Sequence, residues 1–195
     1  MPDFYIERAF ATPLTTADER ALSRRFESCA RVYPVRWHEC LVDGERTWIL
    51  CHLEAENLPA ARAAALCLGV KRDATWLSAV SWAAATRVGA ATPGTNGPNV
   101  PTTAVTNGAL VDVMAEWRLE APTDAVRFAR EQNVCDWCLD ALRVHLGSVA
   151  MSADGRRVVA FFRAPDAEAV RSACRYATVP FDRVITLARL DRKAA

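Results

Sequence analysis

The stretch Val35–Ala55, VRWHECLVDGERTWILCHLEA, decides the fold. Alternating apolar residues on either side of Asp43-Gly44 predict two strands, Val35–Val42 and Thr47–Ala55, because Asp-Gly tolerates the positive φ angles of tight turns. The stretch Val144–Ala164, VHLGSVAMSADGRRVVAFFRA, reads the same way around Asp154-Gly155, with strands Val144–Met151 and Arg156–Ala164. Outward from the first hairpin, the apolar spacing predicts a strand at Phe4–Phe10, an amphipathic helix at Thr16–Val32, a short helix at Leu58–Leu68 and a strand at Thr75–Trp82. Outward from the second, it predicts a strand at Val113–Leu119, helices at Asp124–Leu142 and Ala167–Tyr176, and a strand at Arg183–Leu190.

The same βαββαβ order therefore occurs twice. Sliding one half over the other by 109 residues aligns the elements without a gap: Glu7 falls on Glu116, Pro13 on Pro122, Cys29 on Cys138 and Arg62 on Arg171. Between the halves lies a stretch rich in Gly, Pro, Thr and Asn, as linkers are. The expected organisation is a first ferredoxin-like repeat over 1–83, a linker over 84–110 and a second repeat over 111–195. The fold class is α+β. Each βαββαβ order makes a four-stranded antiparallel sheet with both helices on one face. The bare face needs a cover, so the two units are expected to pack as an intramolecular α+β barrel, a pseudo-dimer that is monomeric or forms a homodimer.

Bulk properties exclude several classes. The chain has 195 residues, 51% hydrophobic and 24% charged, which suits a globular protein rather than a disordered one. A net charge of +1 offers no general attraction to nucleic acid or an anionic membrane, and the stacking motifs of RNA-binding ferredoxin-like sheets are missing. No apolar run is long enough to span a bilayer, and Met1-Pro2-Asp3-Phe4 does not open a signal peptide, so a cytoplasmic location is the expectation. Seven cysteines, an odd number lying mostly within apolar periodic segments, read as small buried hydrophobes rather than disulfides. Cys135-Asp136-Trp137-Cys138 has redox spacing but falls within a predicted helix, where packing is the simpler explanation.

Strand parity sorts the candidates. Ile49, Cys51, Leu53 and Ala55 form one face of their strand, and Val158, Ala160, Phe162 and Ala164 form the matching face; both rows should pack on helices. The opposite rows are Trp48, Leu50, His52 and Glu54, and Arg157, Val159, Phe161 and Arg163. Tyr5 and Glu7, with Met114 and Glu116, share that second face. Such a mixture of polar and aromatic groups suits a ligand pocket better than a dry core. His52 with a carboxylate can shuttle a proton. His38 is a weaker candidate, because strict alternation sets it and Glu39 on opposite faces. His145 has no histidine counterpart in the first half and reads as structural. Trp37, Trp48 and Trp76 could wall a flat aromatic molecule, or simply fill core.

Further residues carry a resemblance. Tyr5-Ile6-Glu7-Arg8, Val35-Arg36-Trp37 followed by Leu41-Val42-Asp43, Cys51-His52-Leu53-Glu54-Ala55, Phe162-Arg163-Ala164-Pro165-Asp166 and Val179-Pro180-Phe181 make the chain resemble a bacterial family of small ferredoxin-like proteins that includes a nickel-binding member. The resemblance covers both halves and implies the fold. That family's helix histidine falls on Ala64 and Ala173, so the resemblance supplies no metal ligand there.

The expected function is to act on a small hydrophobic or aromatic molecule in a pocket between the two sheets, as a cofactor-independent enzyme of cyclase, isomerase or monooxygenase type. His52, Glu54 and Glu7 would do the acid–base work. Tyr5, Trp48, Trp37, His38, Phe161, Arg163 and Glu116 would line the substrate. No metal site and no cofactor are expected. The alternative is a non-catalytic protein binding a divalent metal or a small effector.

Overall fold

A computed structural model describes residues 1–69, 109–124, 127–128 and 138–190, and the backbone of 75–83 and 136–137. The chain divides into two compact units. One comprises Met1–Ala79 with Ser152–Asp154 and Leu187–Ala195; the other comprises Val80–Met151 with Gly155–Thr186.

The first unit contains β1 (Asp3–Ala9), α1 (Thr16–Val32), β2 (Val35–Asp43), β3 (Trp48–Ala55), α2 (Leu58–Cys67) and most of β4 (Thr75–Ala83). β3 pairs antiparallel with both β1 and β2, and β4 pairs antiparallel with the far edge of β1. The order β4-β1-β3-β2 is that of a ferredoxin-like sheet. Local chemistry sets the helix starts. Thr15 caps α1 in a reciprocal capping box with Asp18, and Asn57 caps α2 by accepting from the Ala60 N–H at 2.9 Å. Phe4, Ile6, Ile49, Cys51, Leu53 and Ala55 join Leu22, Phe26 and Cys29 of α1 and Ala61, Ala64 and Ala65 of α2 in one buried cluster. The helix-side row read from parity is thus the core row.

The second unit contains β5 (Val111–Arg118), α3 (Asp136–Ala141), β7 (Arg157–Ala164), α4 (Ala167–Tyr176) and most of β6 (His145–Ser152) and β8 (Arg183–Arg189). β7 pairs antiparallel with β5 and β6. Val113, Ala115, Trp117, Val158, Ala160 and Phe162 pack with Val170, Ala173 and Cys174 of α4. Expected strands and helices fall within a residue or two of the observed ones wherever the structure describes them. Residues 84–108 of the expected linker, 125–126 and 129–135 of the expected helix at Asp124–Leu142, and the side chain of Trp76 lie outside the described residues.

Cα partners in the first unit recur 109 residues on in the second. Asp3↔Glu54 and Tyr5↔His52 correspond to Asp112↔Arg163 and Met114↔Phe161. Both sheets also carry the same irregularity, at Trp37/Glu39 in β2 and at Leu146/Ser148 in β6.

The first hairpin turn departs from the sequence reading and the second agrees with it. The positive φ angle falls on Arg46 (61°) rather than on Asp43-Gly44 in the first, and on Gly155 (66°) of Asp154-Gly155 in the second. Asp43 works through its side chain, which accepts from the Thr47 N–H at 2.8 Å and the Trp48 N–H at 3.0 Å. At Gly155 a Cβ would collide with the Thr123 carbonyl, so glycine is required there.

The cysteines also depart from expectation. Cys29 of α1 is bonded to Cys67 of α2 with Cα atoms 6.1 Å apart, and Cys40 of β2 to Cys51 of β3 with Cα atoms 4.0 Å apart. Apolar surroundings had suggested lone thiols. Packing of α1 and α2 on one sheet brings Cys29 to Cys67, and the pairing of β2 with β3 sets Cys40 opposite Cys51. Among the described residues, no helix is long and apolar enough to cross a membrane.

Candidate functional site

Cα partners in an antiparallel ladder share a face. Asp3 with Glu54, and Tyr5 with His52, therefore project from the side of the first sheet opposite its helices. Along β2, simple alternation would place His38 on that face and Glu39 among the helices. The register instead jumps from Trp37↔Leu53 to Glu39↔His52, a β-bulge. Two residues of β2 stand where one would, so Trp37 keeps the helix side while His38 and Glu39 both turn to the polar face. The parity reading of His38 and Glu39 is corrected by this bulge. Trp37 is corrected with it: its ring packs on Phe26 at 4.8 Å in the core and walls no pocket on the polar face.

The bulge gathers a compact cluster. His52 Nε2 lies 2.8 Å from Asp3 Oδ1, and His38 Nε2 lies 3.3 Å from Glu54 Oε1. The two imidazoles stack at 4.6 Å, and Tyr5 stacks on the other face of His52 at 4.8 Å with an interplanar angle of 10°. The His52 and Asp3 side chains are 20% and 31% exposed, enough to restrain them and still admit a ligand. The carboxylate accepts only, so in the neutral ring the Nε2 proton goes to Asp3 and Nδ1 carries the lone pair. Among the described residues, Asp3 is the hydrogen-bond partner of His52. Glu7 and Glu54 had been expected in that role. Glu7 instead stands opposite Leu50, one step further along the face, and Glu54 serves His38. Asp3 could have been found from sequence, since it shares the parity of Tyr5 and Glu7; a strand begun at Phe4 hid it.

The remaining candidates lie elsewhere. Trp48 is buried opposite Ala9, at the far end of β3 from His52. Phe161 and Arg163 stand on the polar face of β7 in the second unit, where Arg163 pairs with Asp112 at 3.1 Å and donates to the Leu110 carbonyl at 2.7 Å. Glu116 is 1% exposed and forms ion pairs with three guanidinium groups, Arg183 at 2.7 Å, Arg157 at 2.9 Å and Arg118 at 3.1 Å, accepting a hydrogen bond from Arg118 Nε. Burial works to raise its carboxyl. Arg157, Arg183 and Arg118 outweigh that and hold it below the ordinary carboxylate range. Positions in the second unit that match the His cluster are Asp112, Gly147 and Phe161, so one donor of three is retained.

No family model matches the chain. No curated protein matches it in sequence either. Solved structures do align along most of its length. Chlorite dismutase from Candidatus Nitrospira defluvii, in complex with imidazole, aligns at TM-score 0.49 and 9% identity, covering 97% of this chain and 91% of that one. A monooxygenase-assigned protein of Fusobacterium nucleatum gives 0.46 and 10%, covering 97% and 93%. An anthrone oxidase-like protein gives 0.47 and 11%, covering 98% and 92%. Two expectations fall with these findings. The chain's similar structures are chlorite dismutase-like and anthrone oxidase-like, not members of the nickel-binding-type family. The expectation of no cofactor is also withdrawn, and haem is the cofactor to test.

The described residues of this chain do not fit a haem. The macrocycle needs an axial donor beside a cavity of several hundred Å³. The chain has three histidines. His145 is exposed at the start of β6, and the rings of His38 and His52 are stacked on each other. In the second unit, burial pushes the Cys174 thiol up to about 11, so it stays protonated, and the cavity beside it, among Trp117, Leu139, Phe162 and Val170, holds about 20 Å³.

Proposed function

We propose that this protein acts on a small molecule by proton transfer at His52, with Asp3 fixing the ring. The supporting observation is the 2.8 Å contact between His52 Nε2 and Asp3 Oδ1, on a face where Tyr5 and His38 sandwich the imidazole. A carboxylate on one ring nitrogen sets the tautomer, aims the other nitrogen outward and stabilises the imidazolium once the proton has been taken. Buried Tyr5 backs the ring, and the partly exposed His38 offers a flat surface against which an aromatic or planar conjugated substrate could stack. The proton step is compatible with a metal or other cofactor alongside it.

We further propose that 1–83 and 111–195 are duplicated ferredoxin-like units joined by 84–110, of which the first keeps the reactive centre. The recurring register and the shared bulge support duplication. Replacement of Tyr5, His38, His52 and Glu54 by Met114, Gly147, Phe161 and Arg163 at the matching positions supports the asymmetry.

The test is an NMR screen of small aromatic and hydrophobic carbonyl compounds, read on the imidazole resonances. The expected result is saturable binding that shifts His52 and His38 but not His145, weakened at least about tenfold by His52→Ala and by Asp3→Asn. Binding indifferent to both substitutions, or no compound that moves His52, would refute the assignment.

A further inference from the structure

The cluster has the composition of a metal site. Asp3, His38 and His52 each offer one ligand atom, and these atoms lie within 4.8 Å of one another. They come from three neighbouring strands, β1, β2 and β3, so backbone hydrogen bonds fix the spacing of all three donors. The bulge keeps His38 and Glu39 together on this face; alternation carried on from Trp37 would send Glu39 among the helices. A tetrahedral cation with bonds of 2.0–2.2 Å spaces its ligand atoms roughly 3.4 Å apart. The donors therefore need to close by about an ångström, which rotation of partly exposed side chains provides.

We infer that Asp3, His38 and His52 bind one first-row divalent cation of zinc type. The inference deepens the reading of the same centre by naming the cofactor it takes. Two imidazoles and one carboxylate suit Zn²⁺, Co²⁺ or Fe²⁺ and disfavour Mg²⁺ and Ca²⁺, which prefer all-oxygen shells. Local charge agrees: Glu54 places a second carboxylate 3.3 Å from His38 Nε2, while the Arg36 guanidinium that faces it is 74% exposed and 3.9 Å away. Cys40 and Cys51 are bonded to each other on the helix side, so the site is one of nitrogen and oxygen. Three protein donors leave a coordination position for water or a small molecule, as reactive rather than purely structural sites do. The second unit is a built-in control, since Asp112 stands there with Gly147 and Phe161 in place of the two histidines.

The experiment is calorimetric titration of chelator-stripped, untagged protein with ZnCl₂, beside NMR of the imidazoles. One zinc per chain is expected, with His38 and His52 resonances shifted and His145 unmoved. His38→Gln and Asp3→Asn, both at partly exposed positions that circular dichroism can check for folding, should each weaken binding at least about tenfold. Asp112→Asn should leave it unchanged, and millimolar Mg²⁺ should not compete. Zinc binding weaker than about 100 µM, or binding untouched by both substitutions, overturns the site. Zinc bound at these residues while no compound moves His52 retains this site and removes the proton-transfer reading. Compounds that move His52 in a protein that takes no zinc do the reverse.

Discussion

Glu116→Gln tests the electrostatics of the second unit. The carboxylate is 1% exposed and holds Arg183, Arg157 and Arg118 at 2.7, 2.9 and 3.1 Å. Removing one partner of a buried ion pair costs about 3–5 kcal/mol, because the remaining charge is left without compensation. Here Arg118 is 70% exposed and contributes little, while Arg157 (19%) and Arg183 (32%) carry the effect. Glutamine keeps the shape and one acceptor, so about 2–4 kcal/mol is expected at pH 7. The sign with pH follows from the lowered carboxyl. The unfolded chain protonates this glutamate near its ordinary value of about 4.3, before the folded chain does. Its stabilisation is therefore complete above that value and lost as pH falls through the lower folded value. Urea unfolding by circular dichroism, from pH 7 to pH 3, should show wild type and variant converging below about pH 4. A difference below about 1 kcal/mol at pH 7, or one that stays constant with pH, would refute the reasoning.

Other consequences can be checked with the same protein. Peptide mapping without reduction should recover Cys29 joined to Cys67 and Cys40 to Cys51; Cys29→Ser should then cost roughly 4 kcal/mol, from the entropy of the 38-residue loop it closes. Deleting His38 should restore a regular ladder, with Trp37 still opposite Leu53 on the helix side and Glu39 opposite His52. The near-ultraviolet circular dichroism of Trp37 packed on Phe26 should therefore persist, while zinc binding should weaken as it does in His38→Gln. Cys174, its thiol pushed up to about 11 by burial, should resist iodoacetamide at pH 8 in the folded protein and react once unfolded.

Much of the fold was legible because it depends on period. Alternation in Trp48–Ala55 identified β3 and its core face, and α1 showed its helical spacing. The bulge was not legible. A β-bulge adds one residue without changing composition, so VRWHECLVD reads as an ordinary strand while its residues before and after His38 obey opposite parities. The candidate site suffered directly, since the joint presence of His38 and Glu39 on one face depends on that extra residue. Asp3 was lost at a strand boundary, where propensity is weakest as a guide. The cysteine pairs were hidden differently. Cys29 and Cys67 meet only once two helices pack on a common sheet, and Cys40 meets Cys51 only if the loop uses Gly44–Thr47 with Arg46 at positive φ. An Asp-Gly tight turn would have set another register. Glu116 was placed correctly on its face, but its three arginine partners come from β5, β7 and β8 and meet only in space.

The Cys40–Cys51 bond has a consequence for the imidazoles on the other side of the sheet. His38 lies two residues before Cys40, and His52 directly follows Cys51. If the outer ladder of β2 and β3 opens, the two rings remain tethered through a few residues and one covalent crosslink. Their mutual effective concentration then stays in the range of short linkers, about millimolar or higher. The histidines thus behave as a chelate rather than as two sites. A species that bridges them meets strands already joined, and reduction of the bond should loosen that bridge before it unfolds the chain.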